Sequence, residues 1–167
     1  DHPLSQDELL SLAANLGADV PFCLAGGCAR CQGIGEKMKP VTPWHGLPLV
    51  IVRPEVSVST GAAYAQIDAA PHKRPDTTEQ MMQALKEKDI SLLSASLMNH
   101  FEEGLFPLED ELACTAAALS RFGRPFQMTG SGSVFFLIAD DFKEASHIAE
   151  TISRAHPAWY TAVTETR

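Results

Sequence analysis

The sequence predicts an α+β fold built on an antiparallel sheet with helices on one face. Two observations carry the prediction. From residue 47 onward, short apolar runs and longer helical stretches follow the order strand, helices, strand, strand, helix, strand. That order is the one a split βαβ layer of ferredoxin-like type requires. The chain is also composed like a globular protein, with 167 residues, 45% of them apolar and 20% charged, which suffices for a real core.

The elements follow in order. Ser5-Gln6-Asp7-Glu8 is a capping box, in which Ser5 caps the helix and Glu8 reaches back. Leu9, Leu10, Leu12, Ala13 and Leu16 recur on one helical face, so the first helix covers about 6–16. Gly17 fits the left-handed position after it. Pro21 cannot continue a helix and pushes Val20 toward extended geometry. This places Asp19 in a sharp turn between a helix end and a strand. Gly26-Gly27 breaks the following run, residues 28–32 read as extended, and Gly33-Ile34-Gly35-Glu36 reads as a tight connection to a strand near 37–41.

Leu47 to Arg53 is a Val- and Ile-containing run of a buried strand, ended by Pro54. Ser59 or Thr60 caps a helix over about 61–69, and a polar loop with Pro71 and Pro75 follows. Thr77 or Thr78 starts a helix to about 88, and another runs over about 90–102. Leu108 to Phe122 is a helix closed by Gly123. Phe126 to Met128 and Val134 to Ala139 are strands, Phe142 to Ala155 is an amphipathic helix, and Trp159 to Val163 is the last strand.

The net charge of −8 argues against a nucleic-acid or membrane surface, since phosphate backbones and anionic lipids repel it. A small anionic substrate remains compatible, because backbone N–H groups and one or two local cations suffice to hold a phosphate. No apolar stretch reaches the roughly 18 residues of a membrane span. Asp1-His2-Pro3 lacks the basic-then-apolar pattern of a signal peptide. It also lacks an initiator Met, so the chain is expected either to have been processed or to begin inside a longer protein. Cys23, Cys28, Cys31 and Cys114 suit a reduced, cytosolic protein better than a disulfide scaffold. The Cys28-Ala-Arg-Cys31 pair has no second ligand pair at zinc spacing and is read as structural. No metal site is expected from the scattered histidines.

Three motifs carry chemistry. In Gly17-Ala18-Asp19-Val20-Pro21 a carboxylate held in a rigid turn can orient a hydroxyl or take its proton, or can serve simply as a turn or cap residue. In Met128-Thr129-Gly130-Ser131-Gly132-Ser133 small residues let backbone approach an anion and N–H groups form a nest. The same residues equally make a β-hairpin loop. No Gly-Lys-Ser/Thr follows, so the stretch is not a Walker A loop. In Ser59-Thr60-Gly61-Ala62-Ala63-Tyr64 the threonine and tyrosine share a helical face. That pair can stack and hydrogen-bond a planar base, or be a helix cap with a half-buried aromatic.

Taken together and in order, these stretches resemble one family. Leu16-Gly-Ala-Asp-Val-Pro-Phe22, then Gly26-Gly27 and Gly33-Ile34-Gly35-Glu36, are similar to segments of the diphosphocytidyl-methylerythritol kinases of the GHMP superfamily. So are Pro54-Glu-Val-Ser-Val-Ser-Thr60 with Tyr64, the Asn99/Phe101-Glu102 segment, and Thr129-Gly-Ser-Gly132 with Val134-Phe135. The resemblance spans nearly the whole chain. It implies a GHMP C-terminal domain over 45–167, with residues 1–44 a remnant of the N-terminal kinase domain. It further implies transfer of the γ-phosphate of ATP, with Mg²⁺, to the 2-hydroxyl of 4-diphosphocytidyl-2-C-methylerythritol, a step of non-mevalonate isoprenoid synthesis in the cytoplasm.

By position, Asp19 matches the family's catalytic carboxylate. Thr60 and Tyr64 match the cytidine pocket, with Tyr64 on the cytosine, and Ile34 matches the wall of that pocket. Gly130, Ser131, Gly132 and Ser133 match the third motif, near phosphates and substrate. The family's phosphate loop and catalytic Lys have no counterpart in these 167 residues. The polypeptide alone is therefore expected to be inactive, and residues 1–40, lacking their usual neighbour, to favour self-association. Another GHMP small-molecule kinase, or a non-catalytic ferredoxin-like binding module, are the alternative readings.

Overall fold

The computed structural model describes residues 3–69 and 75–167. The part of the expected polar loop around Pro71 lies outside the described residues. The chain divides between Pro43 and Trp44 into a smaller unit and a larger one that ends at Thr166.

The smaller unit contains α1 (Gln6–Leu16), α2 (Val20–Ala25), β1 (Ala29–Gln32) and β2 (Lys37–Pro40). The capping box forms as the sequence implies: Glu8 N–H donates to Ser5 Oγ at 3.3 Å, and Ser5 N–H donates to Glu8 Oε2 at 2.8 Å. Two expectations need correction. Gly17 is not left-handed but extended, with φ 167° and ψ 156°. The chain after Asp19 is not a strand but the short helix α2, with Asp19 at its N-cap. Pro21 lies in the first turn of that helix, where a missing N–H has no intrahelical partner to lose. Gly26 and Gly27, at φ 68° and 73°, then end it, and β1 and β2 pair antiparallel from Ala29↔Pro40 to Gln32↔Lys37.

The larger unit runs β3 (Pro48–Arg53), α3 (Thr60–Ala69), α4 (Thr78–Glu87), α5 (Ile90–Ser96), α6 (His100–Leu105), α7 (Asp110–Ser120), β4 (Phe126–Met128), β5 (Phe135–Ile138), α8 (Phe142–Ala155) and β6 (Tyr160–Glu165). Its sheet has the order β4-β5-β3-β6, with every neighbouring pair antiparallel. This is the ferredoxin-like arrangement, with the first strand of the unit in an interior position.

Strand alternation sorts the core. Val50 and Val52 of β3 and Phe135 and Leu137 of β5 are fully buried, in one cluster with Leu112 and Leu119 of α7 and Ile148 and Ile152 of α8. Residues of the opposite parity, Leu49, Phe136 and Ile138, pack with Ala84, Leu85 and Leu93 from α4 and α5. The α7–α8 layer thus covers one face, and the α4–α5 pair sits against part of the other.

The single helix expected over 90–102 is two. Leu97 is extended (φ −61°, ψ 123°) and so is Asn99 (φ −136°, ψ 114°). Asn99 Oδ1 accepts the Phe101 N–H at 3.0 Å, so the asparagine starts a new helix rather than continuing the old one. No helix among the described residues is long and apolar enough to cross a membrane.

Side-chain bonds tie the periphery to this core. The Trp159 indole N–H donates to Glu111 Oε1 at 2.7 Å, and Leu47 N–H donates to Thr166 Oγ1 at 3.0 Å. At the start of α8, Arg124 Nε donates to Glu144 Oε1 at 2.9 Å and Asp140 N–H donates to Glu144 Oε2 at 2.7 Å. The Asp140 N–H and the Arg124 guanidinium hold the Glu144 carboxyl below its ordinary range, against the effect of burial. A carboxyl whose native pKa is depressed contributes stability above its unfolded pKa of about 4.3, and that contribution is lost as pH falls through the native value. Glu144→Gln is therefore expected to lower the urea midpoint at pH 7. The gap between variant and parent should shrink below about pH 4, which urea titrations at pH 7, 5 and 3.5 would check.

Candidate functional site

The candidate residues fall into both units. In the smaller unit Asp19 is exposed, with φ −88° and ψ −13°, and its carbonyl accepts the Cys23 N–H at 3.1 Å. Its carboxylate makes no capping bond to α2, so the side chain is not consumed by the helix it precedes.

Behind Asp19 lies the 33–36 turn. Glu36 Oε2 accepts the Ile34 N–H at 2.8 Å, and its carboxyl is held below the ordinary range by backbone hydrogen bonds, its own N–H first and then that of Ile34. Ile34 itself is 77% exposed, which leaves its side chain free to serve as a wall. Gly35 sits at φ 116°, and a Cβ there would lie 2.9 Å from the Ala18 carbonyl oxygen. The absence of a side chain at 35 is what lets the hairpin back directly onto the turn that carries Asp19.

In the larger unit, Thr60 and Tyr64 lie one turn apart on α3, both exposed. The Thr60 and Ser131 hydroxyls are 3.2 Å apart. This contact joins the helix to the glycine-rich loop, as neither motif alone would show. The loop is a β-hairpin connection, closed by Thr129 N–H to Val134 O at 2.7 Å and Gly132 N–H to Thr129 O at 3.0 Å. Gly130 and Gly132 take φ 54° and 88°, and the Gly132–Ser133 peptide is cis. Among the described residues, the N–H groups of Gly130, Ser131 and Ser133 have no backbone acceptor, which is the condition for an anion to approach them. Gly132 and Ser133 also line a cleft of about 480 Å³ with Arg53, Val56, Ser57 and Val58; Thr60 and Tyr64 are not part of that lining.

Two residues given no role in the sequence reading hold this loop. Asn99 Nδ2 donates to the carbonyls of Met128 at 2.8 Å and Gly130 at 2.9 Å, and Glu102 Oε1 accepts the Met128 N–H at 2.8 Å. The Asn-x-x-Glu spacing was the available signal, but read by itself it indicates a helix start. Phe101, between them, meets the Tyr64 ring edge-on at 5.0 Å and 81°.

Residues 81–158 match the family model described as GHMP kinases C terminal. The chain is 36% identical over 143 residues to the 4-diphosphocytidyl-2-C-methyl-D-erythritol kinase of Caldicellulosiruptor saccharolyticus, covering 83% of this chain and 49% of the relative. To the kinase of the same name from Alkaliphilus oremlandii it is 32% identical over 165 residues, 96% of this chain and 56% of that one. A crystal structure of 4-(cytidine 5'-diphospho)-2C-methyl-D-erythritol kinase superposes with a TM-score of 0.75 at 30% identity, over 95% of this chain and 57% of that one.

The larger unit carries a GHMP-kinase C-terminal domain.

It spans about half the length of the curated relatives it matches. A homoserine kinase from Cytophaga hutchinsonii superposes equally well, at TM-score 0.75 with 19% identity over 98% of this chain and 58% of that one; this likeness concerns the fold alone. Among the described residues no group of three or more His, Cys, Asp or Glu gathers as a metal cage.

The Gly35 contact gives a direct check on the smaller unit. Gly35→Ala is expected to destabilise the smaller unit by about 1–3 kcal/mol and to shift the backbone amide resonances of Ala18 and Asp19. Two-dimensional amide NMR and urea unfolding would show both, with the resonances of β3 to β6 unmoved.

Proposed function

We propose that the enzyme represented by this chain transfers the γ-phosphate of ATP to the 2-hydroxyl of 4-diphosphocytidyl-2-C-methyl-D-erythritol, in the cytosol, as a step of isoprenoid precursor synthesis. The observation that carries this reading is the contact between Thr60 and Ser131. It brings an exposed aromatic helix face, suited to a flat base, to a loop with unpaired backbone N–H groups, suited to phosphate. The relatives named for that substrate support the same choice.

In this reading Tyr64 stacks on the cytosine, Thr60 bonds to the nucleoside, and Ile34, exposed on its turn, is a further substrate contact. Gly130, Ser131 and Ser133 hold phosphate oxygens through backbone N–H and hydroxyl groups, and Gly132, whose N–H is bonded to Thr129, lets the loop approach them closely. Asp19 orients the acceptor hydroxyl and takes its proton, a role that suits an exposed carboxylate not engaged in capping. The smaller unit then belongs with the kinase N-terminal domain, and Trp44–Thr166 forms the C-terminal one. ATP supplies the transferred group, and Mg²⁺ neutralises its phosphates. Mg²⁺ is commonly held by one or two carboxylates and the phosphates themselves.

Phosphoryl transfer depends on positioning and charge neutralisation, and these 167 residues carry no phosphate loop and no catalytic Lys of the kind the family uses. Calorimetric titration of the polypeptide as it stands should show weak binding of the diphosphocytidyl substrate, no binding of ATP, and no product in a coupled assay. Turnover at the rate of an intact kinase, or tight ATP binding, would overturn this.

Leu12 and Leu16 of α1 and Leu24 of α2 are 53%, 81% and 52% exposed. Apolar surface of this kind drives association, so the polypeptide is expected to form dimers or larger species as concentration rises. Light scattering that finds only monomer at high concentration would rule this out.

A further inference from the structure

We propose that Asn99 and Glu102 are positioning residues that set the shape of the 129–133 loop and thereby its affinity for substrate; the functional half of this inference rests on the site reading above. The loop has little stiffness of its own, because Gly130 and Gly132 both occupy positive φ and glycine is the least restricted residue. Beyond its own hairpin bonds and the Thr60–Ser131 contact, it is fixed by one helix start. Asn99 uses its whole amide: the oxygen caps α6 through Phe101 N–H, and the nitrogen spans the carbonyls of Met128 and Gly130. Glu102, which the sequence spacing would send back to its own helix, instead takes the Met128 N–H. Three bonds therefore grip the entry to the loop from one side.

The same helix reaches the other wall of the site. Phe101 lies edge-on to Tyr64. Gly104 lets α6 approach α3, since a Cβ there would sit 3.3 Å from Gln66 Cβ. The start of α6 thus holds the loop through polar bonds and the stacking tyrosine through packing.

Asparagine is the side chain this arrangement needs, and aspartate separates its two duties. Asn99→Asp keeps an oxygen acceptor for the cap, since both are good N-cap residues, but removes both donors and turns a carboxylate toward two carbonyls. Asn99→Ala removes cap and clasp together. Glu102→Ala loses the Met128 bond, and Glu102→Gln keeps an acceptor for it.

The test uses the 167-residue polypeptide, with amide hydrogen exchange by NMR and calorimetric titration of the diphosphocytidyl substrate. Asn99→Asp should leave the Phe101 amide protected while the Thr129 and Gly132 amides exchange roughly ten-fold faster. Substrate binding should weaken on the order of ten-fold. Glu102→Ala should produce the same loop signature in lesser degree, and Glu102→Gln should return exchange to the parental rate. Unchanged loop exchange in Asn99→Asp, or a freed loop with parental affinity, would overturn the inference while leaving the kinase reading intact. Absence of substrate binding by the parent polypeptide, together with a freed loop in the variant, would instead overturn the site reading and with it the functional half of the inference.

Discussion

The larger unit depends on β3 and on its being enclosed from four sides. It hydrogen-bonds to β5 on one edge and β6 on the other. Its Val50 and Val52 face the α7–α8 layer, and its Leu49 faces the α4–α5 pair. A six-residue strand in that position must be apolar on both parities, and Leu-Val-Ile-Val is. Enclosure also dictates where the candidate site sits. β3 ends at Arg53 opposite Tyr160, and Pro54 turns the chain out of the sheet at that end. Val52 pairs with Phe135, so the loop preceding β5 emerges beside the segment leaving β3. Residues 53–58 and 132–134 line one cleft for that reason. The register of a buried strand, not any local motif, brings the two segments together.

Much of this was readable beforehand because the signals were local. The Ser5–Glu8 box, the β-branched run of β3, the amphipathic α8 and the Gly33–Glu36 turn each depend on residues within a few positions of one another. The misreadings share a physical cause as well. Pro21 reads as a helix breaker, although proline in a first turn costs no hydrogen bond; from sequence alone, a proline that ends one helix and a proline that begins the next look alike. The 90–102 stretch kept helical periodicity through Leu97 and Asn99, and nothing local showed that the asparagine would spend its side chain on a cap and on a distant loop. The Thr60–Ser131 contact spans 71 positions and the Glu102–Met128 bond 26. Pairings of that kind follow from the sheet register and from the α3–α6 packing.

Each motif had a plain structural explanation as well as a functional one, and where the structural one holds it still leaves groups at the same residues uncommitted. The 129–133 stretch is a hairpin loop, and it also presents N–H groups without backbone acceptors. Asp19 is an N-cap residue by position, and its carboxylate is nonetheless uncommitted to the helix. Gly35 is a turn glycine, and its missing Cβ also sets how closely the hairpin approaches Ala18. A site assembled this way uses the groups that regular structure leaves over: exposed caps, loop amides and an aromatic ring more than half exposed on a helix face.

The two superpositions at TM-score 0.75 show why those leftover groups matter more than the scaffold for assigning a substrate. A kinase acting on the diphosphocytidyl compound and a homoserine kinase fit the chain equally well, at 30% and 19% identity. The βαββαβ layer therefore does not choose between a substrate with a nucleobase and one without. A pocket for cytosine needs a flat apolar surface with a hydroxyl near its edge, and a pocket for a small amino acid has no use for either. Tyr64 at 56% exposure, one turn from Thr60, meets the first requirement, and this face of α3 is worth little to stability if it is never covered. The edge-on contact with Phe101 holds the ring without enclosing it, so the aromatic surface stays available on a rigid element, where a stacking partner loses the least entropy on binding.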